Sequence, residues 1–151
     1  MKTNTSQLDT LIALARGDRD QAGQALASER QNERQVSSQL ESLLQYRLEY
    51  SQRLQQAMSE GIDPATMRNY QQFLDSLDSA LARAKEALAS QQQRVGQRQS
   101  QWQQEQRKLS SYDTLATRRE GLQRRHEARQ EQRTSDELVN GRLARTRTSD
   151  R

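Results

Sequence analysis

Apolar residues recur every seven positions along the first part of the chain. One column contains Leu8, Ala15, Ala22, Glu29, Val36, Leu43, Tyr50 and Ala57. Its companion contains Ile12, Arg19, Leu26, Glu33, Leu40, Arg47 and Leu54. Positions that alternate in steps of four and three share one helical face, so the columns predict one stripe, the seam that a coiled coil buries. The charged members of the columns lower stability, but they can fix the register or leave a surface for a partner.

The second part of the chain repeats this pattern more regularly. Its main column is apolar throughout and contains Met67, Leu74, Leu81, Leu88, Val95, Trp102, Leu109 and Ala116. Its companion is apolar at both ends and polar in the middle, with Tyr70, Leu77, Ala84, Gln91, Arg98, Glu105, Tyr112 and Arg119. A sustained seven-residue repeat predicts a left-handed supercoil. A single amphipathic helix on a globular core is the alternative, but no other segment could supply that core.

The strongest helix-breaking signal lies between the two repeats. Gly61 suits the left-handed conformation that ends a helix. Asp63 is a good N-cap, and Pro64 suits the first position of the next helix. The sequence therefore predicts an all-α antiparallel coiled-coil hairpin over residues 1–122, with helices over about 5–60 and 64–122 joined by a turn over about 60–64. Folding about residues 61–62 pairs Tyr50 with the neighbourhood of Phe73.

Composition supports this reading and excludes several others. Only 31% of the residues are hydrophobic and 29% are charged, too few apolar side chains for a layered globular core. Disorder is the alternative for so polar a chain, but the ordered heptads and the single proline argue against it. Cysteine is absent, which excludes disulfides. We expect neither a signal peptide nor a membrane span, and hence a cytoplasmic protein or one exported without a cleaved signal.

The net charge of +4 comes from the C-terminal end of the chain. From Arg118 to Arg151 there are ten arginines against six acidic residues, while charges in the rest of the chain cancel. We expect residues 123–151 to form a basic tail that is helical to about Leu138 and then disordered. The tail could bind nucleic acid, dock on an acidic protein surface or simply raise solubility.

No group of residues in the sequence predicts catalysis. His126 is the single histidine and lies among arginines on a helix that we expect to be exposed, so a solvated surface histidine is the simpler reading. A phosphate-binding loop is absent, and carboxylates sit at helical spacings where arginines pair with them. We therefore expect a protein that is not an enzyme and uses no metal and no other cofactor.

Aromatic residues cluster near the predicted turn. Tyr46 and Tyr50 lie four positions apart on the first helix, and Tyr70 and Phe73 three apart on the second. Tyr50 and Tyr70 fall within the seam, where they either staple the turn end of the hairpin or contribute to binding. Tyr46 and Phe73 fall beside the seam, so we expect them to be partly exposed and available as binding anchors. Trp102 and Tyr112 fall in the seam columns, which favours a core role for both.

Three segments around the turn resemble the FliJ family of the bacterial flagellum. They are Leu-Gln-Tyr-Arg-Leu-Glu-Tyr at 44–50, Met-Ser-Glu-Gly-Ile at 58–62 and Asn-Tyr-Gln-Gln-Phe-Leu at 69–74. The match is specific over about residues 39–84, and it covers the hairpin in length and pattern. The resemblance implies a two-helix coiled coil similar to the central stalk of rotary ATPases.

The resemblance also implies partners and binding residues. The expected partners are the hexameric flagellar export ATPase, which the protein would bind and stimulate, the linker of the membrane export-gate protein, and export chaperones. Carried over residue by residue, the gate-binding set is here named the turn patch: Gln39, Leu43, Tyr46, Tyr50, Phe73, Leu77 and Ala80. The ATPase-contacting set is named the termini patch: Leu8, Leu11, Ala15, Leu109, Tyr112, Leu115 and Leu122. Peripheral association with the cytoplasmic face of the inner membrane at the flagellar base would follow from these contacts.

Three alternatives stay open at the level of the sequence. A basic hairpin associated with nucleic acid or ribosomes predicts binding that weakens steeply with salt. A structural coiled coil that associates with itself predicts concentration-dependent dimers. The injectisome counterpart of the same stalk shares the fold and mechanism that the resemblance implies.

Overall fold

Two long helices make up the protein. The computed structural model of the chain describes residues 2–149, with side chains from residue 4 onward. Helix α1 spans Lys2–Glu60 and helix α2 spans Pro64–Ser149. The described residues are 98% helical and contain no strand, and the two helices pack against each other as a hairpin. The all-α hairpin expected from the heptads is confirmed.

The turn has the stop, cap and start that the sequence predicts. Gly61 has a φ of 90°, a left-handed conformation that glycine adopts without the steric penalty of a Cβ atom. The hydroxyl of Thr66 donates a hydrogen bond to the Asp63 carboxylate, and the Met67 amide donates to the Asp63 carbonyl at 3.1 Å. The Thr66 hydroxyl, together with the Thr66 backbone amide, lowers the pKa of Asp63 below its usual value. Asp63 therefore caps α2 as a carboxylate.

Burial follows the predicted columns. Every member of both α1 columns is buried or half-buried, and so is every member of the main α2 column. Leu8, Leu26, Leu81 and Leu109 are all less than 9% exposed, and Ala15 is 2% exposed. Small and large side chains alternate across the seam: the indole of Trp102 lies so close to Gly23 that a Cβ atom there would sit 3.4 Å from the ring. Packing along this seam holds the two helices together.

A polar layer interrupts the apolar seam. Gln91 is only 6% exposed, and its Nε2 donates to the backbone carbonyl of Glu29 at 3.0 Å and also to the Glu29 carboxylate. Because a shift of the helices would leave these buried polar groups without partners, the pair favours one register. The companion column is less uniform than expected, since Arg98 and Arg119 are exposed. Their long charged side chains extend out of the seam into solvent.

Helix α2 continues further than the sequence suggested. We expected order to fade after Leu138, but α2 reaches Ser149. The expected disorder does not hold for residues 139–149, while Asp150 and Arg151 lie outside the described residues. Gly141 stays helical, because a glycine ends a helix only when it adopts a left-handed conformation. The hydroxyls of Thr146 and Thr148 donate to carbonyls three and four residues earlier, within the last turns of the helix.

The chain divides into two compact units. One comprises Gly17–Gln106 and contains the turn, the polar layer and most of the seam. The other comprises Met1–Arg16 with Arg107–Arg151, where α1 begins and α2 ends. Within the second unit, Arg119 Nη1 donates to the carbonyl of Asn4 at 3.4 Å, so the start of α1 lies beside Arg119.

Candidate protein-binding surfaces

The aromatic cluster forms around Tyr50. Its ring centroid lies 4.1 Å from that of Phe73 and 6.4 Å from that of Tyr70, across the two helices. The guanidinium carbon of Arg53 lies 5.2 Å from the Tyr50 ring centroid, a cation–π contact. The expected pairing of Tyr50 with the neighbourhood of Phe73 is confirmed. Tyr50 and Tyr70 are half-buried, so this cluster also joins the helices next to the turn.

Tyr46 and Phe73 expose large apolar surface beside this cluster. Tyr46 is 55% exposed and Phe73 is 41% exposed, which confirms the partial exposure expected of both. Gln39, Tyr46 and Arg53 are spaced seven residues apart, so they line one edge of the α1 seam. Because Tyr50 contacts Phe73, the same edge lies beside Phe73 and Ala80, which are also seven residues apart on α2. The turn patch therefore lies along one face of the hairpin.

Members of the turn patch differ in what they can offer a partner. Gln39 is exposed, while Leu43, Tyr50 and Ala80 are half-buried. Leu77 is only 7% exposed, so it packs inside the hairpin and can act only by holding its neighbours in place. The accessible part of the patch consists of Tyr46 and Phe73, with Gln39 beside them.

The other edge of the seam carries apolar residues that the sequence reasoning missed. Leu44, Leu48 and Met58 are 47%, 53% and 51% exposed. Their positions next to the seam columns could have revealed them, because Leu44 and Met58 are fourteen residues apart along one edge. Arg47 on this edge forms an ion pair and hydrogen bond with Asp78 of α2. This hydrogen bond, aided by opposite charge, lowers the pKa of Asp78 and raises that of Arg47.

The termini patch is likewise divided between buried and exposed residues, all within the unit that contains both chain ends. Leu8, Ala15 and Leu109 are buried at 6%, 2% and 3% exposure, and Tyr112 is half-buried. The exposed members are apolar and accessible to a partner: Leu11 at 43%, Leu115 at 42% and Leu122 at 64%.

Groups that could perform chemistry are sparse among the described residues. No cluster of three or more His, Asp or Glu side chains there could hold a metal ion. His126 is exposed. One oxygen of the Glu105 carboxylate is buried without a hydrogen-bond partner among the described residues. Arg19 of the α1 seam forms an ion pair with its neighbour Asp20 at 2.9 Å. Within residues 2–149, neither helix has a stretch long and apolar enough to cross a membrane.

Comparison with known proteins agrees with this architecture. The structure of a YscO homologue from Chlamydia trachomatis matches the chain with a TM-score of 0.70 and 15% sequence identity, over 99% of this chain and 95% of that one. At this identity the likeness shows the fold alone. No curated protein matches the chain. The family model described as "Flagellar FliJ protein" matches residues 4–148, so the chain belongs to the FliJ family of flagellar proteins, components of type III protein export.

Proposed function

We propose that this protein is a non-catalytic adaptor of flagellar export that binds the export ATPase through the termini patch and the membrane export gate through the turn patch. The observation that carries the proposal is the exposure of Tyr46 and Phe73 on a helix pair whose other aromatic residues are at least half-buried. Large aromatic side chains held on rigid helices are typical anchors of protein interfaces.

The accessible anchors of the turn patch are rigidly supported. Phe73 stacks against Tyr50, and Leu77 packs beneath the patch one turn further along α2. A side chain that is already ordered loses less conformational entropy when a partner binds. The gate contact therefore depends on Tyr46 and Phe73 for direct interaction, and on Tyr50 and Leu77 for the position of Phe73.

The termini patch supports the proposed ATPase contact in a similar way. Leu8, Ala15 and Leu109 hold α1 and α2 together, and Leu11, Leu115 and Leu122 present apolar side chains to a partner. Binding of this patch in a ring of ATPase subunits would favour the assembled ring and thereby raise ATP turnover, without a nucleotide site on this chain. Export chaperones are the third proposed class of partner. We propose that the exposed basic end of α2 binds acidic proteins. Contact with the gate would keep the protein at the cytoplasmic face of the inner membrane.

Steady-state ATP hydrolysis by the cognate flagellar export ATPase tests this proposal. We expect the protein to stimulate hydrolysis at fixed salt, and the variant Leu11→Ser/Leu115→Ser to lose most of the stimulation while its circular dichroism is unchanged. The matched control is Leu44→Ser/Leu48→Ser, which removes two equally exposed leucines from a different surface. Stimulation should survive in this control.

Two results would contradict the proposal. The first is that the wild-type protein changes neither the rate of hydrolysis nor the oligomeric state of the ATPase. The second is that both leucine variants lose stimulation equally, because the effect would then reflect exposed apolar surface in general.

A further inference from the structure

The last part of α2 has no neighbouring helix within the described residues. Every residue from Leu122 to Ser149 is exposed, whereas Gly121 just before them is half-buried. Arg119 marks the boundary, because its side chain reaches the Asn4 carbonyl near the start of α1. The helical face that α1 covers along the rest of α2 is therefore open beyond residue 121.

Arginines are arranged on one side of this open helix. At about 100° per residue, the side chains of residues 118, 125, 129 and 133 fall within about 80° of the helix circumference. They extend over about 22 Å along the axis. Leu122 lies within the same sector and is 64% exposed. We name this set the arginine stripe: Arg118, Leu122, Arg125, Arg129 and Arg133.

Acidic residues occupy the opposite side of the same turns. Glu120, Glu127 and Glu131 fall within about 40° of one another, on the far side from the arginine stripe. Arg124 lies on that acidic side and pairs with Glu120 at 3.8 Å. These three glutamates therefore do not neutralise the stripe. Asp136 and Glu137, three and four residues after Arg133, can pair with Arg133 alone, which leaves Arg118, Arg125 and Arg129 as uncompensated positive charge on one side of α2.

We propose that the arginine stripe docks an acidic amphipathic helix of a partner protein. Arginine recognises carboxylates through paired N–H donors, so Arg118, Arg125 and Arg129 along one face fit a row of Glu or Asp side chains on a facing helix. Leu122 supplies the apolar contact that helix-to-helix docking requires, at the place where the seam of α2 leaves off. The partner helix would lie along the stripe, about 100° around α2 from the face that α1 covers before residue 121.

A protein partner fits the stripe better than nucleic acid or a membrane. Nucleic acid binding uses phosphate contacts and gains nothing from an exposed leucine at the centre of the basic face. A membrane-bound helix needs a broad apolar face opposite its basic one, but the back of this segment is lined by glutamates. Neither objection applies to an acidic helix with apolar residues along its contact face.

Titration of full-length protein with a designed peptide tests the docking surface directly. The probe is a helical peptide with leucine at heptad positions a and d and glutamate at the flanking positions, measured by fluorescence anisotropy at fixed salt. We expect Arg125→Glu/Arg129→Glu to weaken binding by at least about tenfold, because two attractive pairs become repulsive. The matched control is Arg142→Glu/Arg145→Glu, which makes the same charge change on the back of the same helix, at about 140–160° from the centre of the stripe. This control should retain binding within about threefold.

A charge-reversed peptide, with lysine in place of glutamate, provides the complementary arm. It should bind the Arg125→Glu/Arg129→Glu variant more tightly than the wild type, since the favourable pairs are then restored with reversed sign. Equal losses in the two arginine variants would overturn the proposal, because net charge alone would then explain binding. Tighter stripe-dependent binding to duplex DNA or to phosphatidylglycerol vesicles than to the peptide would overturn it too, and would assign the stripe to that partner.

This inference deepens the proposed contact of the basic end of α2 with acidic proteins, and its test is separate from the ATPase test. Peptide binding that depends on the stripe, together with absent ATPase stimulation, would leave the stripe standing and reject the adaptor function. ATPase stimulation without peptide binding would support the adaptor function and reject the docking role of the arginine stripe.

Discussion

Two stretches of α2 have different surroundings. Between Met67 and Ala116, the main heptad column is buried or half-buried throughout against α1. Between Leu122 and Ser149, the same helix exposes every side chain. In the first stretch, packing stabilises the helix and leaves only the edges of the seam for partners. In the second, helix formation relies on intrinsic propensity and local hydrogen bonds, and the whole circumference is accessible.

The contrast separates residues that hold the hairpin from residues that can bind. Leu77 and Leu81 are 7% and 6% exposed and serve the seam, while Phe73 lies one turn away at 41%. Leu138, at 63%, serves no contact within the described residues. Exposure of an apolar side chain is thus better evidence for a binding role when the neighbouring residues on the same helix are packed.

Truncation of a leucine should lower the free energy of unfolding most where the leucine is packed against α1. We expect Leu81→Ala to lower the free energy of unfolding by about 2–3 kcal/mol, because it removes buried apolar contacts and leaves a cavity in the seam. Leu138→Ala is the control and should change it by less than about 0.5 kcal/mol. Thermal and urea unfolding followed by circular dichroism would measure both. Similar losses in the two variants would contradict the division between a packed and an open stretch.

The polar layer should contribute less than an apolar layer. Gln91→Ala removes the donor to the carbonyl and carboxylate of Glu29, and we expect it to destabilise the hairpin by about 1–2 kcal/mol. Gln93→Ala, at an exposed neighbouring position, should be close to neutral. Urea unfolding would compare them. A Gln91→Ala variant as stable as the wild type would show that the layer does not stabilise this register.

Replacement of glycine by alanine should have opposite effects on stability in the turn and in the open stretch of α2. Gly141→Ala should stabilise the end of α2 locally by about 0.5–1 kcal/mol, since alanine favours the helix and no atom lies within 4 Å of the new Cβ. Gly61→Ala should destabilise the hairpin by about 1 kcal/mol, because the backbone φ of 90° disfavours a side chain. Amide hydrogen exchange would detect the first effect and urea unfolding the second. Unchanged or higher stability of Gly61→Ala in urea would contradict the expected effect in the turn. Faster amide hydrogen exchange at the end of α2 in Gly141→Ala would contradict the expected effect in the open stretch.

The smallest effect concerns the exposed Arg47–Asp78 pair. The folded-state pKa of Asp78 lies below its usual 3.8, so the pair stabilises the hairpin above that pH and the contribution is lost as pH falls through the folded value. Asp78→Asn should therefore melt slightly below the wild type at pH 7, and the difference should disappear once the pH falls below the folded-state pKa of Asp78, where the carboxyl is protonated in both states. Added salt should also reduce the difference at pH 7. A gap that persists unchanged at acid pH would point to a packing effect instead.

The heptads predicted most of the fold. Seven-residue spacing identified the residues that α1 and α2 bury, because burial of apolar side chains determines which helical faces meet. Gly61, Asp63 and Pro64 predicted the turn to within a residue, since each residue type has a distinct preference at a helix end. The aromatic contact between Tyr50 and Phe73 followed from the resulting register.

Other features could not be predicted from spacing. The columns show which residues face the partner helix but not which edge of one helix lies beside which edge of the other, so the position of Phe73 beside the edge that carries Tyr46 needed the structure. The resemblance places Leu77 in the turn patch, but its position in the α2 seam column already predicts the burial that the structure shows. The predicted loss of order after Leu138 also differs from the structure, in which α2 remains helical to Ser149. The domain boundary near residue 122 and the partners of both patches stay predictions.

Binding to the linker of the cognate export-gate protein tests the central claim most directly. The comparison is between Tyr46→Ala/Phe73→Ala, on the edge that carries the turn patch, and Leu44→Ala/Leu48→Ala, equally exposed on the other edge. We expect the aromatic variant to weaken binding by at least about tenfold with unchanged helicity, while the leucine variant binds like the wild type. Unchanged binding by the aromatic variant, or an equal loss in both, would contradict the assignment of the gate contact to the turn patch.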